Sequence, residues 1–195
     1  PVIVTVPTDD TAGGDTDADG GADLPTGSSS PWIAVSGGGT LQFESVEVRY
    51  RGVDLTTSGT ATIAASAVRH APQEALRLGA GPTTNVTAIV TNSLLVKDAA
   101  DWDVVAGYGD GVHLAMVNST VTGGRTGILL DQNARLERLV NSIVAFNTLA
   151  GVGLTHGGTA STDVRHNDVY NPGATIGNYM NMQDYTGLQG NISAD

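Results

Sequence analysis

A short phrase recurs along the chain: a small or amide residue, then Ser, then apolar residues. It reads Glu44-Ser45-Val46, Ala65-Ser66-Ala67, Asn92-Ser93-Leu94, Asn118-Ser119-Thr120, Asn141-Ser142-Ile143 and, with Asp in place of Ser, Asn167-Asp168-Val169. Between the second residues of successive phrases the steps are 21, 27, 26, 23 and 26 residues. Eight or nine residues after a phrase comes a second apolar run: Ala75-Leu76-Arg77-Leu78, Trp102-Asp103-Val104-Val105, Gly127-Ile128-Leu129-Leu130 and Gly151-Val152-Gly153-Leu154. A third run leads into the next phrase, as in Val86–Val90, His113–Val117 and Leu136–Val140. Self-similarity at such a period marks a chain that winds and stacks on itself.

Strands this short cannot support an ordinary sheet, but in a solenoid each pairs with its equivalent one coil above and below. The fold expected is all-β, a right-handed parallel β-helix (solenoid) of about six coils with three short strands per coil, roughly 30 Å tall. Val46, Leu76, Val90, Leu94, Ile128, Leu139 and Ile143 are the side chains expected to fill its lumen. Asn92, Asn118, Asn141 and Asn167 are expected at one turn, where stacked amides satisfy one another. A β-sandwich has no reason to repeat Asn-Ser at this period, and the leucine-rich phrase is missing.

The balance of charge narrows the function. Twenty acidic residues against nine basic ones leave a formal charge of −11 in 195 residues. Nucleic acid, whose phosphates demand Lys and Arg clusters, is excluded as a partner, and so is a polybasic membrane contact. No run of 18 apolar residues occurs, so no membrane insertion is expected. There is no cysteine, which removes disulfides and thiolate chemistry. Pro1-Val2-Ile3-Val4 opens the chain without a signal-peptide pattern, and both ends read as cut from something longer.

The sharpest chemical signal is Asp15-Thr16-Asp17-Ala18-Asp19-Gly20, a D-x-D-x-D-G calcium-loop opening. Alternate carboxylates at Asp15, Asp17 and Asp19 converge on one hard cation, Gly21 offers its carbonyl and Asp23 follows as a further ligand. Thr26 stands where such loops carry a bidentate Glu, so Asp9 or Asp10 is expected to complete a Ca2+ site. The metal would fold the loop and cap the first coil. Residues 1–30 then form an N-terminal strand and calcium-binding cap, and residues 31–195 the β-helix. A disordered acidic linker is the alternative for the same composition.

The chain resembles the bacterial right-handed parallel β-helix repeat proteins of the pectate-lyase-like superfamily. The acidic stretch Thr8 to Gly20, the opening coil Pro31 to Tyr50, and the closing segments Val164 to Asn171 and Gly190 to Asp195 carry the likeness. It implies export to the cell surface or medium. It says little of activity, because the superfamily hosts lyases, hydrolases, adhesins and passive stalks.

On the coils, Asp98, Asp101 and Asp103 cluster, Asp110 follows, Arg125 and Asp131 lie on the neighbouring coil within reach, and Glu137 is a further carboxylate. A solvated turn explains these charges, with a second calcium or a sugar patch as the functional alternative. The four histidines fall at different repeat positions and suggest no metal triad. Trp102 with Tyr108 is a candidate sugar-binding surface, while Trp32 is expected to cover the open end of the helix. No catalytic constellation emerges. The reading is a non-enzymatic, calcium-stabilised structural or adhesive module of a secreted or cell-surface bacterial protein, forming a homo-oligomer or filament through the solenoid ends. The alternative is a polysaccharide-binding or lyase-type domain.

Overall fold

The computed structural model describes residues 2–6, 9–12, 32–161 and 163–194. It is a parallel β-solenoid of about six turns, built from three sheets. Within each coil the chain visits the sheets in a fixed order. Sheet 1 stacks Trp32–Val35, Gly52–Thr57, Leu76–Ala80, Val105–Tyr108, Thr126–Asp131, Ala150–Leu154 and Gly177–Met180. Sheet 2 stacks Gly39–Glu44, Gly59–Ala64, Val86–Thr91, Val112–Val117, Arg135–Val140 and the short Thr159–Ala160, with Val164–Arg165 also on Arg135–Val140. Sheet 3 stacks Val46–Arg49, Ala67–Arg69, Leu94–Val96, Thr120–Thr122, Ile143–Ala145 and Asp168–Tyr170, with Val2–Val4 on its first edge.

All these pairings are parallel, so one residue lies above its equivalent and apolar columns run the length of the rod. Ile33, Val53, Leu76, Val105, Ile128, Val152 and Tyr179 form one such column in sheet 1. Sheet 3 strands contribute a single inward residue per coil: Val48, Val68, Leu95, Val121, Val144 and Val169, all without solvent exposure. This corrects two of the expected lumen residues. Leu94 and Ile143 sit one position earlier, on the outer face, and Ile143 is 45% exposed. Alternation along a strand forces this outcome, because the preceding Ser93 and Ser142 already point inward and are buried.

The corner between sheets 2 and 3 explains the recurring phrase. One residue at this corner is held at positive φ in every coil: Ser45 (58°), Ala65 (47°), Asn92 (51°), Asn118 (51°), Asn141 (49°) and His166 (56°). It is the first residue of the phrase in the four middle coils, its second in the first coil and the residue before it in the last. Asn tolerates this left-handed conformation better than most residues, which accounts for its recurrence. The Asn141 amide donates to Asn118 (2.8 Å) and the Asn118 amide to Asn92 (3.1 Å), as expected of a ladder.

Asn167, expected as the fourth rung, lies one position later. His166 takes the corner, and Asn167 falls beside Ser142 in a second, buried ladder. There the oxygens of Ser66, Ser93, Ser119, Ser142, Asn167 and Asn191 each accept the backbone N–H one coil before, at 2.9–3.3 Å. Asn167 and Asn191 also donate their amides to the carbonyls of Leu139 and Val164. The backbone N–H groups of this corner thereby find acceptors within the protein.

Candidate functional site

The outer face of sheet 1 carries a groove of about 490 Å³ lined by Thr56, Glu74, Arg77, Gly79, Trp102 and Tyr108. Its shape follows from register. Thr56, Gly79 and Tyr108 lie in one outward column on successive coils. Gly79 has no side chain, so a recess opens between its two neighbours; a Cβ there would meet only Thr56, at 3.3 Å for Cγ2. Arg77 flanks the recess two positions earlier on the same strand. Glu74 and Trp102 come from the corners that precede the second and third of these strands.

Close backbone approach fixes the first coil against this corner. A Cβ at Gly52 would lie 2.2 Å from the Glu74 carbonyl and 2.6 Å from the Trp32 ring. Trp32 therefore lies flat over Gly52 on the outer face, and its ring supports the Arg77 guanidinium, 4.2 Å from the centroid. Ile33 and Val35, not Trp32, pack against the core at this end. The expected end-covering role of Trp32 is thus replaced by a role beside the groove.

Among the described residues Arg77 lines the groove, Arg125 and Lys97 stand near it, and each has a carboxylate partner. Arg77 grips the buried Asp54 with Nε and Nη2 at 2.9 and 2.8 Å. Arg125 grips the buried Asp103 at 3.2 and 3.1 Å, and the Thr126 N–H adds a third bond at 3.1 Å. Lys97 has a side chain only 1% exposed; Nζ donates to the carbonyls of Ala71 and Gln73 and stands 3.4 Å from Asp101.

Glu74 differs from these carboxylates. It is 2% exposed, and its Oε2 has no hydrogen-bond partner among the described residues. From a neighbouring side chain its Oε1 accepts a long bond, 3.5 Å, from the Tyr108 hydroxyl. Burial pushes the Glu74 carboxyl above the usual range, and Asp103 adds to the rise, while its own backbone N–H, Arg77 and Lys97 offset part of it. Tyr108 is pushed up to about 12 by burial and by the acids of Glu74 and Asp103, so its hydroxyl stays protonated. Trp102, 44% exposed, stands at the rim.

The remaining carboxylates do not converge. Asp98 bonds His70, Asp110 accepts from Asn133, Glu137 bonds His113, and Asp131 takes Thr155 and His156. Burial raises the Asp131 carboxyl, but the hydrogen bonds from His156, Thr155 and the Gln132 N–H outweigh it and hold it low. Among the described residues, no three acids or histidines group to hold a metal. A second groove, of about 560 Å³, runs along the Asn corner, where the amides bond one another and Glu47 pairs with Arg49 and Arg69.

Of the calcium-loop residues, Asp15, Asp17, Asp19, Gly21 and Asp23 lie outside the described residues. Asp9 is buried at the start of a 3-10 turn, Asp10–Ala12, where its carboxylate accepts the hydroxyls of Thr5 and Thr11 and the Thr11 N–H. It acts as the cap of that turn. Burial raises the Asp9 carboxyl, and these hydrogen bonds outweigh the effect and keep it below the usual range.

No family model, curated protein or solved structure matches the chain. Of the residues at the groove, sequence reasoning named Trp102 and Tyr108 but not Glu74, Arg77, Thr56 or Gly79, nor Asp54 behind Arg77. One signal was present: Glu74 stands two residues before Leu76, as Asp103 stands two before its register partner Val105. An acid repeated at the entrance to a buried strand marks a corner that must be satisfied or used.

Proposed function

We propose that this chain is a rigid binding module that presents a carbohydrate groove on a solenoid scaffold. The observation that carries the reading is the buried, unpartnered Glu74 oxygen below an exposed Trp102 rim. Sugar sites combine a flat aromatic face with a few fixed polar groups, and Trp102, Tyr108, Thr56 and Glu74 supply both. Binding is favoured over hydrolysis, which needs two free carboxyls across the bond; Asp54 and Asp103 are each held in an arginine fork. The repeat phrases and the acidic N-terminal stretch favour an exported, surface-associated bacterial protein of the pectate-lyase-like superfamily. Trp102 makes the test direct. Titration with a glycan panel should change its fluorescence, and Trp102→Ala should abolish the response while the melting temperature holds. Unsaturated product in the same incubations would favour a lyase instead.

The spacing of Asp15, Asp17 and Asp19 supports a second proposal, that Ca2+ orders the N-terminal stretch as a cap. Chelation should lower the melting temperature of the loaded protein; an unchanged melt with no bound metal removes the site.

A further inference from the structure

Resting on the sugar-binding reading, we infer that the groove selects uncharged saccharides and rejects uronates, with Glu74 as the residue that reads a ligand hydroxyl. Among the described residues three cations stand at or near the site, and each is already paired with a carboxylate. Arg77 is forked to Asp54, Arg125 to Asp103, and Lys97 lies beneath the surface on two carbonyls beside Asp101. Glu74 is a fourth acid and has no cation of its own. A ligand carboxylate in this recess would face four acids and would lose its hydration without an unpaired cation to offset the loss.

A sugar hydroxyl meets no such penalty. It donates to an ionised Glu74 and accepts from a protonated one, so it satisfies the orphan Oε2 in either state. The Tyr108 and Thr56 hydroxyls lie in the column that flanks Gly79 and offer the same dual chemistry to neighbouring hydroxyls. The Trp102 face covers the apolar side of a pyranose ring. The groove thus holds hydrogen-bonding groups without net positive charge, which is the recognition chemistry of a neutral glycan.

The test compares neutral hexasaccharides (gluco, manno, galacto and xylo series) with hexagalacturonate by calorimetric titration of the intact chain. At least one neutral hexasaccharide is expected to bind about tenfold or more tightly than the uronate. Glu74→Leu, which keeps the volume and removes the hydrogen bonds, should weaken that binding by about tenfold or more. Glu74→Gln, which keeps a donor and an acceptor, should retain most of it. Tighter uronate binding that Trp102→Ala abolishes would overturn the selectivity and leave the sugar site standing. Neutral binding that Glu74→Leu leaves untouched would remove Glu74 from recognition. Failure of every saccharide to bind would remove the sugar site itself.

Discussion

Glu74 and Asp103 occupy the same place on successive coils, two residues before register-paired strand residues, and both are almost fully buried. Asp103 is held by three hydrogen bonds from Arg125 and Thr126. Glu74 has one oxygen without a partner among the described residues. The cause lies one coil on and one position earlier. For Asp103 that residue is Arg125, and for Glu74 it is Trp102. A single exchange in the repeat turns a closed structural corner into an open one, with an aromatic face where the cation would stand. In a solenoid, where each coil inherits the same backbone, function is read from the rung that departs from its neighbours.

The largest way to break this comparison is to remove Asp103. Asp103→Ala leaves the Thr126 N–H and the Arg125 guanidinium without their acceptor, and a destabilisation of about 3 kcal/mol is expected in urea unfolding. Arg125 is half exposed and water recovers part of its loss, which keeps the cost at the low end for a buried pair. A loss below about 1 kcal/mol would mean that the fork does not hold this corner.

Trp102→Arg sharpens the comparison from the other side, by giving Glu74 the partner that Asp103 has. A gain of about 1–2 kcal/mol at neutral pH is expected from the new charge-assisted bonds, together with loss of glycan binding. The pH dependence carries the diagnosis. Glu74 holds its proton to higher pH in the folded chain than its ordinary 4.5, so its contribution to stability is full below that value. It declines as pH climbs through the raised folded value and then levels. Glu74→Gln should abolish this decline, and Trp102→Arg should shrink or reverse it. Urea melts from acid to neutral pH read all three proteins; a wild-type curve parallel to that of Glu74→Gln would show that Glu74 is not raised.

How much of this was legible in the sequence depends on which residues carry the pattern. Parallel stacking was readable because Asn92, Asn118 and Asn141 stand at a conformation that few residues tolerate, and the need for that conformation repeats with the coil. The frame slipped at both ends, where Ser45 and His166 take the corner and Asn167 moves inside. Letters alone could not separate an exposed amide rung from a buried one, because Ser and Asn serve both ladders. The groove was only half legible. Trp102 and Tyr108 announce themselves as aromatics, but the recess depends on an absent side chain at Gly79, and the significance of Glu74 lies in a partner it lacks. Missing partners are properties of three-dimensional neighbours and leave no motif.

The smallest expected effect isolates the one hydrogen bond that Glu74 has from a neighbouring side chain. At 3.5 Å the Tyr108 hydroxyl is at the outer limit for such a bond, and Tyr108→Phe keeps the ring that fills the outer column. Stability should change by about 0.5 kcal/mol or less, whereas glycan affinity should fall by a few fold, roughly the worth of one neutral hydrogen bond. The two readings together decide what Tyr108 does. If Tyr108→Phe costs about 2 kcal/mol or more in unfolding, the hydroxyl secures Glu74 as Arg125 secures Asp103. The two coils would then differ only in the chemistry of their clamp, and Glu74 would no longer stand ready for a ligand.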